Sequence, residues 1–289
     1  MNQLPNFIII GAMKSATSSL YDQLVRQPGI FMTNPKEPNY FSDDEQYHRG
    51  IKWYKSLYSD AGENDLLGEA STHYTKLPTY PNTIKRMQEC NLKSKFIYVM
   101  RHPIDRLVSH YIHEWSQRVI NVDIDNAVEM YPEMKAYSLY AMQLQPYLNA
   151  YGKDAILPVF FDRLKKYPQL ELERICQFIN YKGSPKWKFD LPPSNMSSER
   201  IRRFPMYNLL IESYIAKSIR RALVPKNLRT KIRHSLSIRK RPELSNDVRK
   251  KLVIEFDNDL VRLGQWLGIE LNCANFSEIT ERYRYEWKI

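Results

Sequence analysis

The stretch that most constrains the fold is Pro5-Asn6-Phe7-Ile8-Ile9-Ile10-Gly11 followed by Ala12-Met13-Lys14-Ser15-Ala16-Thr17-Ser18-Ser19-Leu20. A short apolar run rich in β-branched residues reads as a buried strand of a parallel sheet, and Leu20 with Leu24 marks the apolar face of a helix that follows. Between them small residues allow a tight loop. There, successive backbone N–H groups and the helix N-terminus face one point, Lys14 adds a charge, and Thr17, Ser18 and Ser19 add hydroxyls. This is a cradle for an anion. The Walker spacing G-x-x-x-x-G-K-[ST] is absent, since Lys14 stands only three residues after Gly11, so a triphosphate with magnesium is not the favoured ligand. Taken alone, the stretch also fits a purely structural turn carrying a surface lysine.

Further strands are expected at Gly29–Met32, Leu66–Glu69, Lys95–Met100 and Ala155–Phe161. Thr33-Asn34-Pro35-Lys36-Glu37-Pro38 must be a loop, because its two prolines forbid continued helix. After Arg101-His102-Pro103 an amphipathic stretch runs to about Gln117, with Pro103 suited to a first helical turn, and Glu171–Asn180 reads as another helix. Alternating strands and helices predict an α/β, three-layer sandwich with a central parallel sheet of about five strands, its ligand at the carboxyl ends. The 289 residues, 43% apolar and 26% charged, suit one core, so residues 1–289 read as a single domain. Residues 190–242 read as a basic, mobile excursion. From Ser245 on, Val248, Leu252, Phe256, Leu260, Leu263 and Leu267 recur at helical spacing with Gly268 as a stop, so 243–268 should be a helix that packs back.

The formal net charge is +11, and the window from Arg200 to Arg241 holds thirteen Lys or Arg against Glu212 alone. The excess is one basic segment on a nearly neutral domain, which points to an anionic partner on one face; a solvated basic helix is the alternative. Cys90, Cys176 and Cys273, odd in number and without a C-x-x-C pair, favour reduced thiols. The longest apolar run, Phe7–Met13, is too short for a bilayer span and lacks the flanks of a secretory signal, so a cytoplasmic protein is expected.

The second chemistry-bearing stretch is Tyr98-Val99-Met100-Arg101-His102-Pro103-Ile104-Asp105-Arg106-Leu107-Val108-Ser109-His110-Tyr111. An arginine closing a strand and a serine eight residues later supply a guanidinium fork and a hydroxyl for a second phosphate beside the first cradle. Asp105 and Arg106 read as helix-surface charges. His110 and His113 are spaced to share a metal, but no third ligand is evident and none is assigned. Trp266 falls in the helical pattern as a packing residue, while other aromatics could line an acceptor cleft.

Together, Lys14–Leu20 and Arg101–Tyr111 resemble the paired binding signatures of sulfotransferases that use 3′-phosphoadenosine 5′-phosphosulfate (PAPS). Pro35-Lys36-Glu37-Pro38-Asn39-Tyr40-Phe41, Gly50-Ile51-Lys52-Trp53-Tyr54 and Gly68-Glu69-Ala70-Ser71 extend the resemblance, in order, to the heparan-sulfate-type and bacterial branch, over about the first 180 residues. The resemblance implies the P-loop-like sulfotransferase fold and transfer of a sulfuryl group from PAPS to a hydroxyl or amine, releasing 3′-phosphoadenosine 5′-phosphate (PAP), with no metal. It places the 5′-phosphosulfate on Lys14, Ser15, Ala16, Thr17, Ser18 and Ser19, and the 3′-phosphate on Arg101 and Ser109.

In-line sulfuryl transfer depends on positioning and on stabilising the leaving phosphate, for which Lys14 is the natural cation. Glu37 occupies the place where heparan-sulfate-type enzymes carry their carboxylate base, and His73, just after a predicted strand, is the runner-up base. Several of those enzymes have a lysine where this chain has Ala70, so either a second cation comes from elsewhere or the acceptor differs. Near Arg239-Lys240-Arg241 the family's basic turn lacks its glycine, leaving Arg239 as a candidate 3′-phosphate ligand, and Asn195–Arg203 as a stretch that borders the cofactor or closes over it. An anionic polysaccharide or lipid-linked glycan is the expected acceptor, with a small alcohol or lipid as the alternative, and no nucleic acid is expected. A nucleotide-dependent kinase, or a noncatalytic nucleic-acid-binding protein using the basic segment, are the alternatives.

Overall fold

The computed structural model describes residues 4–191, 241–282 and 286–289. Five strands form one parallel sheet: β1 (Phe7–Gly11), β2 (Ile30–Met32), β3 (Leu66–Ala70), β4 (Lys95–Met100) and β5 (Ile156–Phe160), in the order β2-β3-β1-β4-β5. Period-2 alternation splits the side chains between two cores. Ile8, Ile10, Phe96, Tyr98 and Met100 face one, and Phe7, Ile9, Ile97 and Val99 the other. Both faces are covered, as the near-continuous apolar strands require.

On the second face lie α1 (Thr17–Leu24), through Leu20 and Leu24, and α10 (Pro168–Phe178), through Leu172 and Ile175. Between β2 and β3 stand two short helices, α2 (Asp44–His48) and α3 (Gly50–Ser56), the first capped by Asp43 Oδ1, which accepts from Gln46 N–H at 3.1 Å. A 3-10 turn, Thr72–Thr75, follows β3 and leads to α4 (Thr83–Glu89). β4 runs into α5 (Pro103–Gln117), which starts on its proline and ends at Arg118 in the left-handed region. Then come α6 (Ile124–Met130), α7 (Glu133–Ala136), α8 (Tyr140–Tyr151) and, after β5, α9 (Phe161–Lys166).

The C-terminal helix α11 spans Asn246–Leu267, with Ser245 at its N-cap and Gly268 in the left-handed region at its end. Leu252, Phe256, Leu260, Leu263 and Leu267 are all buried against the first core, each contributing about 1.5 to 3 kcal/mol. Trp266 is buried with them and meets Trp287 edge-on. A last helix, α12 (Phe276–Arg282), packs on α9.

Arg106 departs from the sequence reading. It is fully buried rather than on the surface, and donates to Ser138 Oγ and the Met134 carbonyl, tying α5 to the segment around α7. Asp105, its neighbour, is half exposed as expected. Because β1 lies between β3 and β4 in the sheet, the chain's connections run to opposite sides of it, and the crevice that such a switch point forms in an open α/β sheet belongs at its carboxyl end.

Candidate active site

Gly11 ends β1 and Thr17 begins α1, so the intervening loop lies over that crevice. Lys14 and Ala16 hold φ of 70° and 67°, a left-handed backbone that turns the chain sharply into the helix. Ala16 is the N-cap and offers no side-chain acceptor, which leaves first-turn N–H groups of α1 for a ligand. Ser15 is fully buried, and its Oγ has no hydrogen-bond partner among the described residues. A buried hydroxyl without a partner beside uncapped N–H groups is what a bound phosphate or sulfate oxygen would satisfy. The donor set fits the phosphosulfate end of PAPS.

Arg101 closes β4 next to this loop. Its Nη1 donates to the Lys14 carbonyl at 3.3 Å, its guanidinium lies 4.8 Å from the Phe161 ring centroid, and the Tyr140 hydroxyl donates to its carbonyl. Burial lowers its pKa; Asp105 opposes that shift and Arg241 adds to it. Arg241 pairs with Asp105 at 2.6 Å, so a second cation joins this locus. Ser109 is buried in α5, six residues past its first residue. Arg239 and Asn195–Arg203 lie outside the described residues.

Glu37 comes to the same crevice from the loop after β2. Its N–H donates to the Ala70 carbonyl at 3.1 Å, which docks the loop on the end of β3. Lys36 Nζ sits 2.9 Å from Glu37 Oε1 and 3.0 Å from Ser18 Oγ, bridging the carboxylate to the first turn of α1. Thr72 Oγ1 approaches the same carboxylate oxygen at 3.5 Å. Burial pushes the Glu37 carboxyl up, but Lys36, Lys76 and His73 outweigh it and hold the pKa below the usual carboxylate value.

His73 lies in the 3-10 turn, stacked on Tyr80 with ring centroids 4.7 Å apart. Burial, aided by Lys76, lowers its pKa to about 4, so it is neutral at pH 7, and its Nδ1 is buried without a partner among the described residues. Lys76, three residues on, lies 5.7 Å over the Tyr137 ring. Burial lowers its pKa to about 8, against the pull of Glu37 and Glu114.

The structure therefore joins Ser18 to Glu37 through Lys36 and, separately, brings Arg101 into contact with the Lys14 carbonyl. It supplies the cations near Glu37 that Ala70 does not, from Lys36 and Lys76. Sequence reasoning assigned roles to neither of these nor to Arg241. Lys36 and Arg241 stood inside motifs already singled out, whereas Lys76 is an isolated lysine that only the fold places. His110 is buried, stacked on Tyr137 and 3.6 Å from Glu114. Among the described residues no group of three or more His, Cys, Asp or Glu is placed to hold a metal, and no helix is long and apolar enough to cross a membrane.

A family profile described as "sulfotransferase domain" matches residues 4–264. Heparan sulfate glucosamine 3-O-sulfotransferase 3A1 of Mus musculus is 29% identical over 189 residues, covering 62% of this chain and 47% of its own length. The human heparan sulfate glucosamine 3-O-sulfotransferase 5 is 29% identical over 192 residues, covering 62% of this chain and 54% of its own. The chain thus spans about half the length of these curated relatives. A sulfotransferase crystal structure from Alicyclobacillus acidocaldarius shares the fold, with TM-score 0.64 at 22% identity, covering 93% of this chain and 97% of that one.

Proposed function

The chain belongs to the sulfotransferase domain family, whose members use PAPS and release PAP, and from that premise we propose that it transfers the sulfuryl group of PAPS to a hydroxyl or amine of a carbohydrate-containing acceptor. The observation that carries the proposal is the Lys36 bridge, which joins the anion cradle at Ser18 to the carboxylate of Glu37 through one ammonium group. Donor-side and acceptor-side machinery come from different motifs, and they meet at a single point.

In this scheme the cradle residues Lys14 to Ser19 grip the 5′-phosphosulfate, and Arg101 with Ser109 grips the 3′-phosphate. The acceptor oxygen or nitrogen bonds to sulfur as the bond from sulfur to the bridging phosphate oxygen breaks. Lys14 meets the charge that develops on the leaving phosphate, where a fixed cation accelerates transfer most. Glu37 takes the acceptor proton; Lys36 and Lys76 beside it favour its ionised form in advance. His73 is neutral at pH 7 and stands as the alternative base. The names of the relatives and the basic window from Arg200 to Arg241 both support an anionic polysaccharide as acceptor.

Calorimetric titration with PAP, with ATP and magnesium as control, tests the donor half. Wild type should bind PAP, Arg101→Ala should bind it more weakly, and failure of the folded wild type to bind would overturn the reading. Labelled PAPS with heparan sulfate tests the acceptor half. Lys14→Ala should lower turnover about 100- to 1000-fold. Glu37→Gln should keep PAP affinity and lose transfer; if His73→Ala shows that pattern instead, the histidine is the base.

A further inference from the structure

Glu69 is a fully buried carboxylate near the end of β3, and the transfer scheme gives it no task. Its Oε1 accepts from Ser71 Oγ at 2.7 Å, its Oε2 accepts from the Tyr54 hydroxyl, and the Tyr74 hydroxyl bonds to it as well. Tyr58 in turn donates to the Tyr54 oxygen at 3.3 Å. A buried acceptor thus gathers three hydroxyls, with a fourth behind them.

Each of the three reaches outward to the loop that carries Glu37. Ser71 Oγ accepts the Asn39 N–H at 3.1 Å, and the Tyr74 oxygen accepts the Phe41 N–H at 3.4 Å. The Tyr54 ring stacks on Tyr40 with centroids 4.6 Å apart and planes at 12°. Residues 39, 40 and 41 therefore each rest on a ligand of Glu69. The loop needs such support, because Glu37 and Asn39 hold φ of 61° and 52°, a region that costs a non-glycine residue about 1 kcal/mol or more and persists only when its surroundings impose it.

The direction of the hydrogen bonds follows from the backbone. An N–H only donates, so Ser71 and Tyr74 accept from Asn39 and Phe41 and point their own protons inward at Glu69. An amide in its place brings a donor into the hub and competes with that orientation. Burial raises the Glu69 pKa, while the hydrogen bonds from Tyr54, Tyr74 and Ser71 oppose the rise.

We propose that Glu69 is a positioning residue for Glu37, fixing through Ser71, Tyr74 and Tyr54 the backbone of residues 39–41 and with it the aim of the carboxylate at the acceptor. This rests on the reading of Glu37 as the base. The test is a double-mutant cycle of Glu37→Gln, Glu69→Gln and the pair, read as kcat with labelled PAPS and heparan sulfate. PAP affinity by calorimetry and amide hydrogen exchange over residues 35–42 accompany it. Glu69→Gln should lower kcat about 10- to 100-fold, the loss that a misplacement of about 1 Å produces, with PAP affinity within about twofold. In the Glu37→Gln background it should cost nothing more, because two residues that act as a unit are not additive.

Amide protection at Asn39 and Phe41 should fall in Glu69→Gln while that of β4 holds, an arm that requires no acceptor. Wild-type kcat in Glu69→Gln beside a dead Glu37→Gln overturns the positioning role alone, as does an equal loss in both backgrounds or retained protection at Asn39 and Phe41. Full activity in Glu37→Gln overturns the base reading and with it the aim assigned to Glu69. Should Glu69→Gln fail to fold, Ser71→Ala removes the one hydroxyl that links Glu69 to Asn39 and leaves the Tyr54 and Tyr74 bonds to Glu69 in place. A smaller fall in kcat with lost Asn39 protection then supports the proposal, and unchanged values of both overturn it.

Discussion

In the proposed scheme Glu37 takes a proton at neutral pH and must be ionised before the acceptor arrives, a form that the ammonium of Lys36 favours from a distance of 2.9 Å. The same contact makes Glu37 a weaker base, since a lower pKa means a smaller driving force for proton transfer. Replacing Lys36 with methionine removes both effects. The Glu37 side chain is 34% exposed, so part of the interaction is screened, but burial then acts with less opposition and the pKa rises. Because the base works deprotonated, the acid limb of kcat moves to higher pH in Lys36→Met, and kcat at pH 7 falls roughly tenfold with the lost anchor to Ser18. A pH profile of kcat measures this, and an acid limb that stays in place removes Lys36 from the control of Glu37. Lys14, Ser18, Glu37 and Arg101 were legible in the sequence because each lies in a short motif next to a strand end. Arg106 was not: it lies one helical turn from His110 on the inner face of α5, and a charge there is counted as surface until its hydrogen-bond partners are seen.

At the scale of elements, the junction of β1 with the 3-10 turn governs how the site is assembled. Thr75 Oγ1 donates to the Ile10 carbonyl at 2.6 Å, fastening the turn that carries His73 to the strand that feeds the cradle. Gly11 follows directly, at φ of 154°, and a Cβ there would overlap Thr75 Oγ1 and crowd the Tyr98 ring. Gly11→Ala should therefore destabilise the protein by about 2 to 3 kcal/mol, since both neighbours belong to a packed interior with little room to yield. Urea denaturation reads the loss, and a midpoint equal to wild type would show that the junction relaxes freely. The five strands were readable from their short apolar runs, and α5 and α11 from long periodic faces, the first opened by Pro103 and the second closed by Gly268. The helices between Asp123 and Tyr151 were not, because α6 and α7 are too short to show a period and α8 carries Pro146 within it. The Glu37 loop was recognisable as a loop from its prolines, but it rests on Ser71, Tyr54 and Tyr74, residues distant in sequence, which no local pattern encodes.

At the scale of the whole molecule, two histidines among the described residues are held neutral at pH 7, His73 partly buried and His110 buried. His73 stacks on Tyr80 and His110 on Tyr137, and burial lowers the pKa of each to about 4 from an ordinary 6.5. Lys76 adds to the shift in both cases, while Glu37 opposes it at His73 and Glu114 at His110. Between pH 6.5 and 4 the unfolded chain takes up protons that the folded chain refuses, so stability rises with pH across that window. It is fully present above 6.5 and is lost as the pH falls toward 4, by at most about 3 kcal/mol for each histidine. The depressed carboxyl of Glu37 acts in the same direction but below the ordinary carboxylate value of 4.5, so its contribution lies mostly beneath the histidine window. Repulsion within a chain of net charge +11 also grows on acidification, but equally in any variant that keeps the other charges. The double variant His73→Gln, His110→Gln isolates the histidine effect: its urea midpoint should fall less than that of wild type between pH 6.5 and 4.5. Parallel slopes for the two proteins would mean that the imidazoles are free to charge in the folded state, and that the surroundings of His73 and His110 are wetter than their packing indicates.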